Sequence, residues 1–474
     1  MKVSVLVTIQ SDDDATTVVH EVFTLGRGPL APDTLGLHID EAKDLLSAIQ
    51  DKMVSEQVKA AITEQVACPA CGRPRRHKDA RDIVVRSLFG TLRLPSPRWW
   101  HCQCSPQESR TFSRSGRCAA RSDHARAAVP GGQVRGLASY GLSAKLLAEI
   151  LPLGRPLHAT VLCRQVQGVA QRLEDELGKE QWSFMEGCPG EWEKLACPDL
   201  PLVVGLDGGY VHSSEQRSRR DGWFEVVAGK SVPDHGPAKS FGFVQIYDAK
   251  PKRRLFEVLT SQGMQANQQV TFITDGGEDV RELPLYLNPQ AEHLLDWFHV
   301  TMRLTVMTNM AKGLPSQPSG PDLPPPPVDL AASVGEELAR LRWFLWHGNV
   351  FRAVQVIDGL VMDLDVEEPG PERRKLLKAV TEFGTYVRAN AGSIPNYGER
   401  YRSGEPISSS FVESTVNQVV SKRMVKKQQM RWSPRGAHLL LQVRTRVLND
   451  DLAGDFHRWF PSFAHTPEPQ TLAA

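Results

Sequence analysis

The sequence predicts an α/β protein of several domains, in which a mixed sheet follows a cysteine-rich module and is interrupted by a helical insertion. Three observations support this fold class. β-branched runs bounded by glycine alternate with turns between residues 200 and 300. Apolar residues at helical spacing dominate residues 334–390. Two pairs of cysteines stand between residues 68 and 104, where short strand-like runs separate them.

Length and composition fit an ordinary globular protein. The chain has 474 residues, a formal net charge of +1 and 23% charged residues, which suits roughly two to four domains and excludes general disorder. No stretch approaches the ~18 uninterrupted apolar residues of a membrane span. The opening run MKVSVLVTIQ is short and is followed by acids, which does not fit a secretory signal. We therefore expect a cytoplasmic protein without a membrane partner.

The order of patterns predicts consecutive domains. Strand-like runs at Val3–Ile9 and Val18–Thr24 and a helix from Asp40 to Glu64 form a leading unit. A helix-turn-helix and generic helical packing fit residues 136–177 equally well. We predict a small α+β unit over 1–66, a basic cysteine-rich domain over 67–130, a helical region over 131–185, the first part of the sheet core over 200–300, a helical insertion with a proline-rich linker over 301–405, a core helix and its successor over 406–450, and a tail over 451–474.

The sheet core is predicted as a β-meander that passes into α/β. We predict strands for LVVGLDGGYVH (202–212), WFEVVAGKSV (223–232), SFGFVQIYD (240–248), RLFEVLT (254–260), QVTFITDGG (269–277) and AEHLLDWFH (291–299).

Cysteine spacing predicts a structural zinc site. Cys68 and Cys71 stand in CPACG, whose proline and glycine favour a tight knuckle, and Cys102 and Cys104 follow in HCQC. Four unrelated thiols are the alternative. The single residue between the second pair leaves open whether His101 or His77 replaces one thiolate. Such a closed site stabilises a fold without doing chemistry.

Carboxylates at strand ends are candidate catalytic groups. Asp207 lies within the most apolar strand-like run, and Asp275 ends another; both precede Gly-Gly. A buried carboxylate costs several kcal/mol unless a cation or hydrogen bonds compensate. If the two strands are neighbours, the carboxylates can hold two divalent cations for phosphodiester chemistry, and Mg²⁺ suits such oxygen ligands. The alternative is that each acid caps a turn.

A third carboxylate is expected in the C-terminal region. Glu413 opens a predicted helix in a segment, residues 402–446, that has nine basic and two acidic residues. It either holds a metal ion or serves as an N-terminal charge on its helix.

Local charge predicts a nucleic-acid partner that the total charge conceals. Residues 68–126 contain thirteen basic and four acidic residues. For Trp99, Trp100 and Trp432, packing is favoured over stacking on exposed bases. The candidate DNA contacts are Arg73, Arg75, Arg76, Lys78, Lys422, Arg423, Lys426, Lys427 and Arg431.

These motifs together resemble the DDE transposases of bacterial insertion sequences, of the ISKra type, and more distantly the Mutator-like superfamily. The resemblance rests on CPACG with RSLFGTLRLPSPRWWHCQC, on GLDGGYVH, on FITDGGEDV with LLDWFHV, and on FVESTVNQVVSKRMVKKQQMRWSPRGAHLLLQVR. It covers most of the chain. The sequence departs from the family in the spacing of its second cysteine pair.

The resemblance implies an RNase H-like core, with a zinc ribbon and a helical DNA-binding region before it. In that core one aspartate lies on the first strand, a second follows the fourth strand, and a glutamate lies on a later helix. This implies that Asp207, Asp275 and Glu413 hold two Mg²⁺ ions, although our strand prediction places Asp275 after the fifth run. Asp296 and His299 match an Asp-x-x-His motif with a supporting role; Asp296 is the alternative second acid.

The implied function is DNA transposition. Such an enzyme binds double-stranded DNA at terminal inverted repeats, hydrolyses a strand with Mg²⁺ and joins the freed 3′-hydroxyl to target DNA. We expect a homodimer or larger assembly on DNA at the nucleoid. A non-catalytic DNA-binding regulator or domesticated relative, and a structure-specific nuclease, are the alternatives.

Overall fold

A computed structural model of the chain divides into two compact units, Met1–Arg172 with Asp450–Ala474, and Leu173–Asn449. The predicted domain boundaries remain predictions. The residues that the structure describes are 1–10, 17–29, 36–87, 89–104, 111–113, 136–152, 158–184, 187–196, 201–215, 222–277, 287–288, 291–314, 329–366, 370–425 and 430–461.

The first unit begins with a hairpin and a long helix. Strands β1 (Lys2–Gln10) and β2 (Thr17–Gly26) pair antiparallel, and helix α1 (Ile39–Val66) packs on them. Along β1, exposed and half-buried residues alternate, because successive side chains of a strand lie on opposite faces. The three elements agree with the two strand-like runs and the helix predicted from sequence.

A three-stranded antiparallel sheet follows. It consists of β3 (His77–Ser87), β4 (Gly90–Trp100) and β5 (Thr111–Phe112), in the order β3-β4-β5. Two helices, α2 (Tyr140–Ile150) and α3 (Ala159–Glu176), occupy the predicted helical region. Residues 153–157 between them lie outside the described residues, so the helix-turn-helix remains a prediction.

The second unit contains a short helix α4 (Pro189–Trp192) and a five-stranded mixed sheet. Its strands are β6 (Leu202–His212), β7 (Trp223–Pro233), β8 (Lys239–Val244), β9 (Val270–Thr274) and β10 (Ala291–Leu295), and their order is β10-β9-β6-β7-β8. Strands β6, β7 and β8 form an antiparallel meander, whereas β9 and β10 run parallel to β6.

One predicted strand is wrong. Residues 254–260 belong to helix α5 (Pro251–Ser261), in which Pro251 occupies the first turn, where a proline is tolerated. Leu255 and Leu259 are spaced by one helical turn and are buried against the sheet. Removing this run from the strand count makes β9 the fourth strand of the sheet. Similarly, the run 291–299 is a strand only as far as Leu295.

The helical insertion has its own apolar core. It contains α6 (Trp297–Lys312), α7 (Leu330–Trp346), α8 (Val350–Leu364), α9 (Pro371–Ala389), a 3₁₀ turn (Ala391–Ser393) and α10 (Tyr397–Arg402). Gly348 separates α7 from α8 and has φ +68°, a backbone conformation that favours glycine. The proline-rich residues 315–328 lie outside the described part of the chain.

The C-terminal region has a different helical geometry from the one predicted. Residues 408–425 form α11 (Ser410–Val416) and a π-helical segment (Asn417–Val425) instead of one regular helix. Helix α12 (Pro434–Leu448) packs on β8, and α13 (Leu452–Trp459) follows. Among the described residues, no helix combines the length and apolar character needed to cross a membrane.

Candidate active site and cysteine cluster

Three aspartates lie in register at one edge of the mixed sheet. Gly205 of β6 pairs with Ile273 of β9, and Thr274 of β9 pairs with Leu295 of β10. Continuing these registers places Asp207 beside Asp275, and Asp275 beside Asp296. Neighbouring strands are only about 4.8 Å apart. The carboxyl ends of three parallel strands therefore bring together acids that are far apart in the sequence.

Helix α11 lies over the face of β6 that carries Asp207. Residues 205, 207 and 209 share that face because side chains alternate along a strand. A side chain at Gly205 would collide with Val412, and one at Gly209 would lie 3.3 Å from Val416 Cγ1. Glu413, Ser414 and Thr415 lie between these two contacts, so the backbone of this turn of α11 passes over the stretch of β6 that contains Asp207. The Glu413 side chain is outside the described part of the structure.

Asp296 is buried, and both of its carboxylate oxygens accept hydrogen bonds from the chain. Its side chain is 0% exposed. Oδ1 accepts a hydrogen bond from the Phe298 backbone N–H at 2.8 Å, which caps α6, and Oδ2 accepts one from the Ser409 hydroxyl. His299 Nε2 lies 3.7 Å from Oδ2. Both oxygens of Asp296 therefore accept hydrogen bonds from the chain, one at the start of α6 and one from Ser409, directly before α11.

Asp275 has a more open carboxylate. It is half-buried, and Oδ1 accepts a hydrogen bond from the Gly277 backbone N–H at 3.0 Å. Its own carbonyl accepts a hydrogen bond from the Tyr386 hydroxyl at 2.8 Å, which fixes the backbone from α9. The following Gly276 has φ +83°, and a Cβ there would lie 2.6 Å from Leu295. This position therefore requires glycine.

Asp207, Asp275 and Asp296, which we call the aspartate row, lie close enough for their charges to interact. Burial raises the pKa of Asp207, and His299 opposes this rise. The nearby carboxylates of Asp275 and Asp296 raise the same pKa further. A divalent cation would relieve this repulsion, and oxygen donors are the ligands that Mg²⁺ prefers. The donor type suits Mg²⁺, but Asp207, Asp275 and Asp296 are not among the described groups whose ligand atoms all lie within 4.8 Å of one another.

The four predicted cysteines converge. The sulfur atoms of Cys68 and Cys104 are 3.5 Å apart, those of Cys71 and Cys102 are 3.5 Å apart, and those of Cys71 and Cys104 are 3.4 Å apart. Tetrahedral zinc with Zn–S bonds of about 2.3 Å sets sulfur atoms about 3.8 Å apart. The cluster can hold a metal ion such as zinc. The β3-β4 hairpin achieves this by returning the second pair to the first.

Neighbouring groups shift the pKa values of the thiols in opposite directions. Backbone N–H groups of Ala70 and Cys71 lower the pKa of Cys68 to about 6, whereas thiol neighbours raise the pKa of Cys104 to about 12. Among the described residues, groups of three or more ligand atoms within 4.8 Å of one another are this one and Glu174 with Asp248 and His438. His77 and His101 are in neither group, so four thiols make up the cluster.

The group of Glu174, Asp248 and His438 was missed from sequence. Burial would raise the pKa of Glu174, but hydrogen bonds from His438 and Arg254 lower it to about 2. Arg254 is buried, with Nε 2.9 Å from Asp248 Oδ2 and Nη1 2.9 Å from Glu174 Oε1. The guanidinium already forms ion pairs with both carboxylates. We therefore interpret the group as an ion-pair network that joins α3, α5 and α12, with no need for a metal ion.

The candidate DNA contacts differ in exposure. Arg73, Arg76, Lys78, Lys422 and Arg431 are exposed, and Arg75 is half-buried with Nη1 donating to the Gln65 carbonyl. Lys426 and Lys427 lie outside the described residues.

Arg423 does not have the exposure expected of a phosphate contact. It is 3% exposed, and its guanidinium carbon lies 5.2 Å from the centre of the Trp432 ring. Trp432 also donates its indole N–H to the Met424 carbonyl. Trp99 is buried with its ring 5.1 Å from that of His77, and Lys78 lies 5.3 Å from the Trp100 ring. In this conformation the tryptophans pack within the protein.

Comparison with known proteins leaves the family open. No protein-family model and no curated protein matches the chain. A solved structure to which it is similar is the Drosophila P element transposase strand transfer complex, at 10% sequence identity and a TM-score of 0.31. The alignment covers 68% of this chain and 92% of that one. Similarity at this level does not establish a relationship.

Proposed function

We propose that the chain is a DDE transposase of the ISKra type that cuts and joins DNA strands with Mg²⁺. The observation that carries the proposal is the row of in-register aspartates beneath the helix that bears Glu413. Acids at the carboxyl ends of parallel strands are well placed to act on a bound ligand. The basic segments around the cysteine cluster and α11 supply the expected charge for a DNA partner.

The order of the sheet supports an RNase H-like core. A meander of three antiparallel strands is followed by two parallel strands beside the first one. Asp207 lies on the first strand and Asp275 follows the fourth, which is the arrangement that the family resemblance implies. The strand-count discrepancy disappears because residues 254–260 are helical.

The proposed roles follow from accessibility. Asp207 and Asp275, together with Glu413, would hold two Mg²⁺ ions. When bound, such ions activate a water or hydroxyl and neutralise charge on the leaving oxygen. Asp296 orients His299 beside these acids, and Ser409 fixes the start of α11 against Asp296. We therefore favour Asp275 over Asp296 as the second catalytic acid.

The remaining parts would bind DNA. We propose that the cysteine cluster is a zinc ribbon whose hairpin presents Arg73, Arg76 and Lys78 to double-stranded DNA. Synapsis of two DNA ends requires a homodimer or larger assembly. Zinc analysis of the purified protein should find about one ion per chain.

A cleavage and joining assay tests this function. The full-length protein would be incubated with Mg²⁺, target DNA and the DNA that flanks its own coding region. We expect strand cleavage followed by joining to the target, and we expect Asp207→Asn to abolish both while DNA binding persists. Cleavage without joining would support a structure-specific nuclease. Binding without cleavage would support a non-catalytic regulator. If Asp207→Asn still cleaved DNA, the assignment of Asp207 as a catalytic acid would be wrong.

A further inference from the structure

The N-terminus of α6 presents an exposed aromatic ring beside the aspartate row. Asp296 caps this helix, and the next residue, Trp297, packs inward against the rings of Trp346 and Tyr397 at 5.0 and 4.7 Å. Phe298 faces outward instead and is 43% exposed. Its ring centre lies 5.8 Å from that of His299 at an interplanar angle of 90°.

The position of this ring is fixed by its backbone. The Phe298 N–H donates to Asp296 Oδ1 at 2.8 Å, and the Trp297 N–H donates to the Ile407 carbonyl at 3.1 Å. Two hydrogen bonds therefore hold the backbone on which Phe298 stands. An exposed ring on this fixed stretch of backbone, beside the proposed catalytic acids, is available to a ligand.

Two further apolar side chains are exposed on the same face of α6 as Phe298. Met302 and Val306 follow Phe298 at intervals of one helical turn and are also exposed. The opposite face of α6, with Val300, Leu304 and Met307, is buried in the insertion core. The three side chains of this outward stripe, Phe298, Met302 and Val306, carry no charge, although the exposed Arg303 follows Met302 and places its guanidinium 4.1 Å from the centre of the Tyr386 ring. The uncharged stripe suits the flat face of a base better than a phosphate group.

We propose that Phe298 stacks on an unpaired base of the DNA strand next to the phosphodiester held by the aspartate row. This inference rests on the proposed function. Phe298 lies two residues after Asp296 and donates its backbone N–H to that carboxylate, so the stripe begins beside the aspartate row. Aromatic side chains bind bases of any sequence in this way. The strand would thus be held by its base at α6 and by its phosphate at the aspartates.

Binding measurements test this contact. Fluorescence anisotropy would compare a single-stranded oligonucleotide with the matching duplex, using full-length protein that carries Asp207→Asn to keep the DNA intact. Adding Phe298→Ala should weaken single-strand binding roughly five- to hundredfold and leave duplex binding unchanged. Phe298→Trp should restore it, whereas Phe298→Leu, which is apolar but not flat, should not. Phe351→Ala is the matched control, because Phe351 is 71% exposed on α8.

The outcomes separate this inference from the proposed function. Equal single-strand affinity for Phe298→Ala and its parent overturns the stacking contact, as does full rescue by Phe298→Leu, which would indicate an apolar protein surface. An equal loss in Phe351→Ala also overturns it. Cleavage by the chain with its native Asp207 is measured separately. Its absence overturns the proposed function, whereas a selective loss in Phe298→Ala would still support base stacking.

Discussion

At the scale of single residues, environment separates acids that look alike in the sequence. Asp207 and Asp275 keep accessible carboxylate oxygens, whereas both oxygens of Asp296 accept hydrogen bonds from the chain. The sequence places Asp207 within a strand and the other two acids near strand ends, but it cannot show this difference, because Ser409 approaches Asp296 only through the tertiary fold. Arg254 was missed for the same reason, since two of its partners, Glu174 and His438, come from distant segments.

The first prediction concerns Asp207 and stability. Because burial and neighbouring acids raise the pKa of Asp207, its ionised form destabilises the fold above that pKa. We expect Asp207→Asn to raise the melting temperature without Mg²⁺. We also expect added Mg²⁺ to stabilise the protein with native Asp207 more than the variant, since a ligand that binds the native state stabilises it. Scanning calorimetry measures both effects. An equal Mg²⁺ response would argue against metal binding here.

The second prediction concerns Arg254. Arg254→Met leaves the carboxylates of Glu174 and Asp248 without their guanidinium partner, which should lower the free energy of unfolding by about 3–5 kcal/mol. Arg340→Met, which removes an exposed ion pair with Glu337, should cost less than ~1 kcal/mol. Urea denaturation compares them. Equal losses of unfolding free energy in the two variants would contradict a stabilising role for the buried ion-pair network.

The same network predicts a pH dependence. The folded pKa of Glu174 is about 2, below its ordinary value of 4.5. Its ionised form therefore stabilises the fold above pH 4.5, and this contribution is lost as pH falls toward 2. The difference between the native protein and Arg254→Met should shrink over that range. A constant difference would show that Glu174 is not the partner that matters.

At the scale of elements, glycines on β6 decide where the Glu413 helix lies. Long, strongly patterned elements such as α7 and α8 could be predicted from sequence, whereas the helix at residues 254–260 and the π-helical part of the Glu413 segment could not. The first is a short apolar run, whose periodicity fits a strand as well as a helix. The Glu413 segment begins as an α-helix and continues as a π-helix, which its apolar pattern does not distinguish. Both are settled by packing against the sheet.

The third prediction grades three glycine variants. Gly205→Ala places a methyl group onto Val412, which is buried and stiff, and should cost ~1–3 kcal/mol and most of the activity. Gly209→Ala meets Val416 Cγ1 at 3.3 Å and should cost less. Gly359→Ala, in open space on α8, should be neutral or stabilise by up to ~1 kcal/mol. Thermal unfolding and cleavage rates would test this order. A harmless Gly205→Ala would contradict the close approach of α11.

At the scale of the whole molecule, a net charge of +1 is an average over unlike segments. The basic residues concentrate in 68–126 and 402–446, and acids elsewhere offset them. These charged segments are readable from sequence alone, and the cysteine spacing predicts a common site. The register that aligns Asp207, Asp275 and Asp296 is not readable, because it depends on which strands pair.

The fourth prediction follows from this charge distribution. DNA affinity should fall steeply as salt rises, and Arg76→Ala with Lys78→Ala should reduce the slope by up to about 2, one for each phosphate contact. Arg352→Ala, an exposed change in the helical insertion, is the control and should leave the slope unchanged. DNA-binding titrations at several salt concentrations measure this slope of log affinity against log salt concentration. An unchanged slope in the double variant would exclude the hairpin as a DNA-binding surface.

The most direct test of the central claim compares cleavage rates of three single variants with Mg²⁺ on the DNA flanking the coding region. Asp207→Asn and Asp275→Asn should each lower the rate by at least roughly a thousandfold with DNA affinity unchanged, because each removes a cation ligand. Asp296→Asn keeps an oxygen for the Phe298 N–H and should lose less. Near-native cleavage by Asp207→Asn, or a larger loss in Asp296→Asn than in Asp275→Asn, would contradict the proposed site.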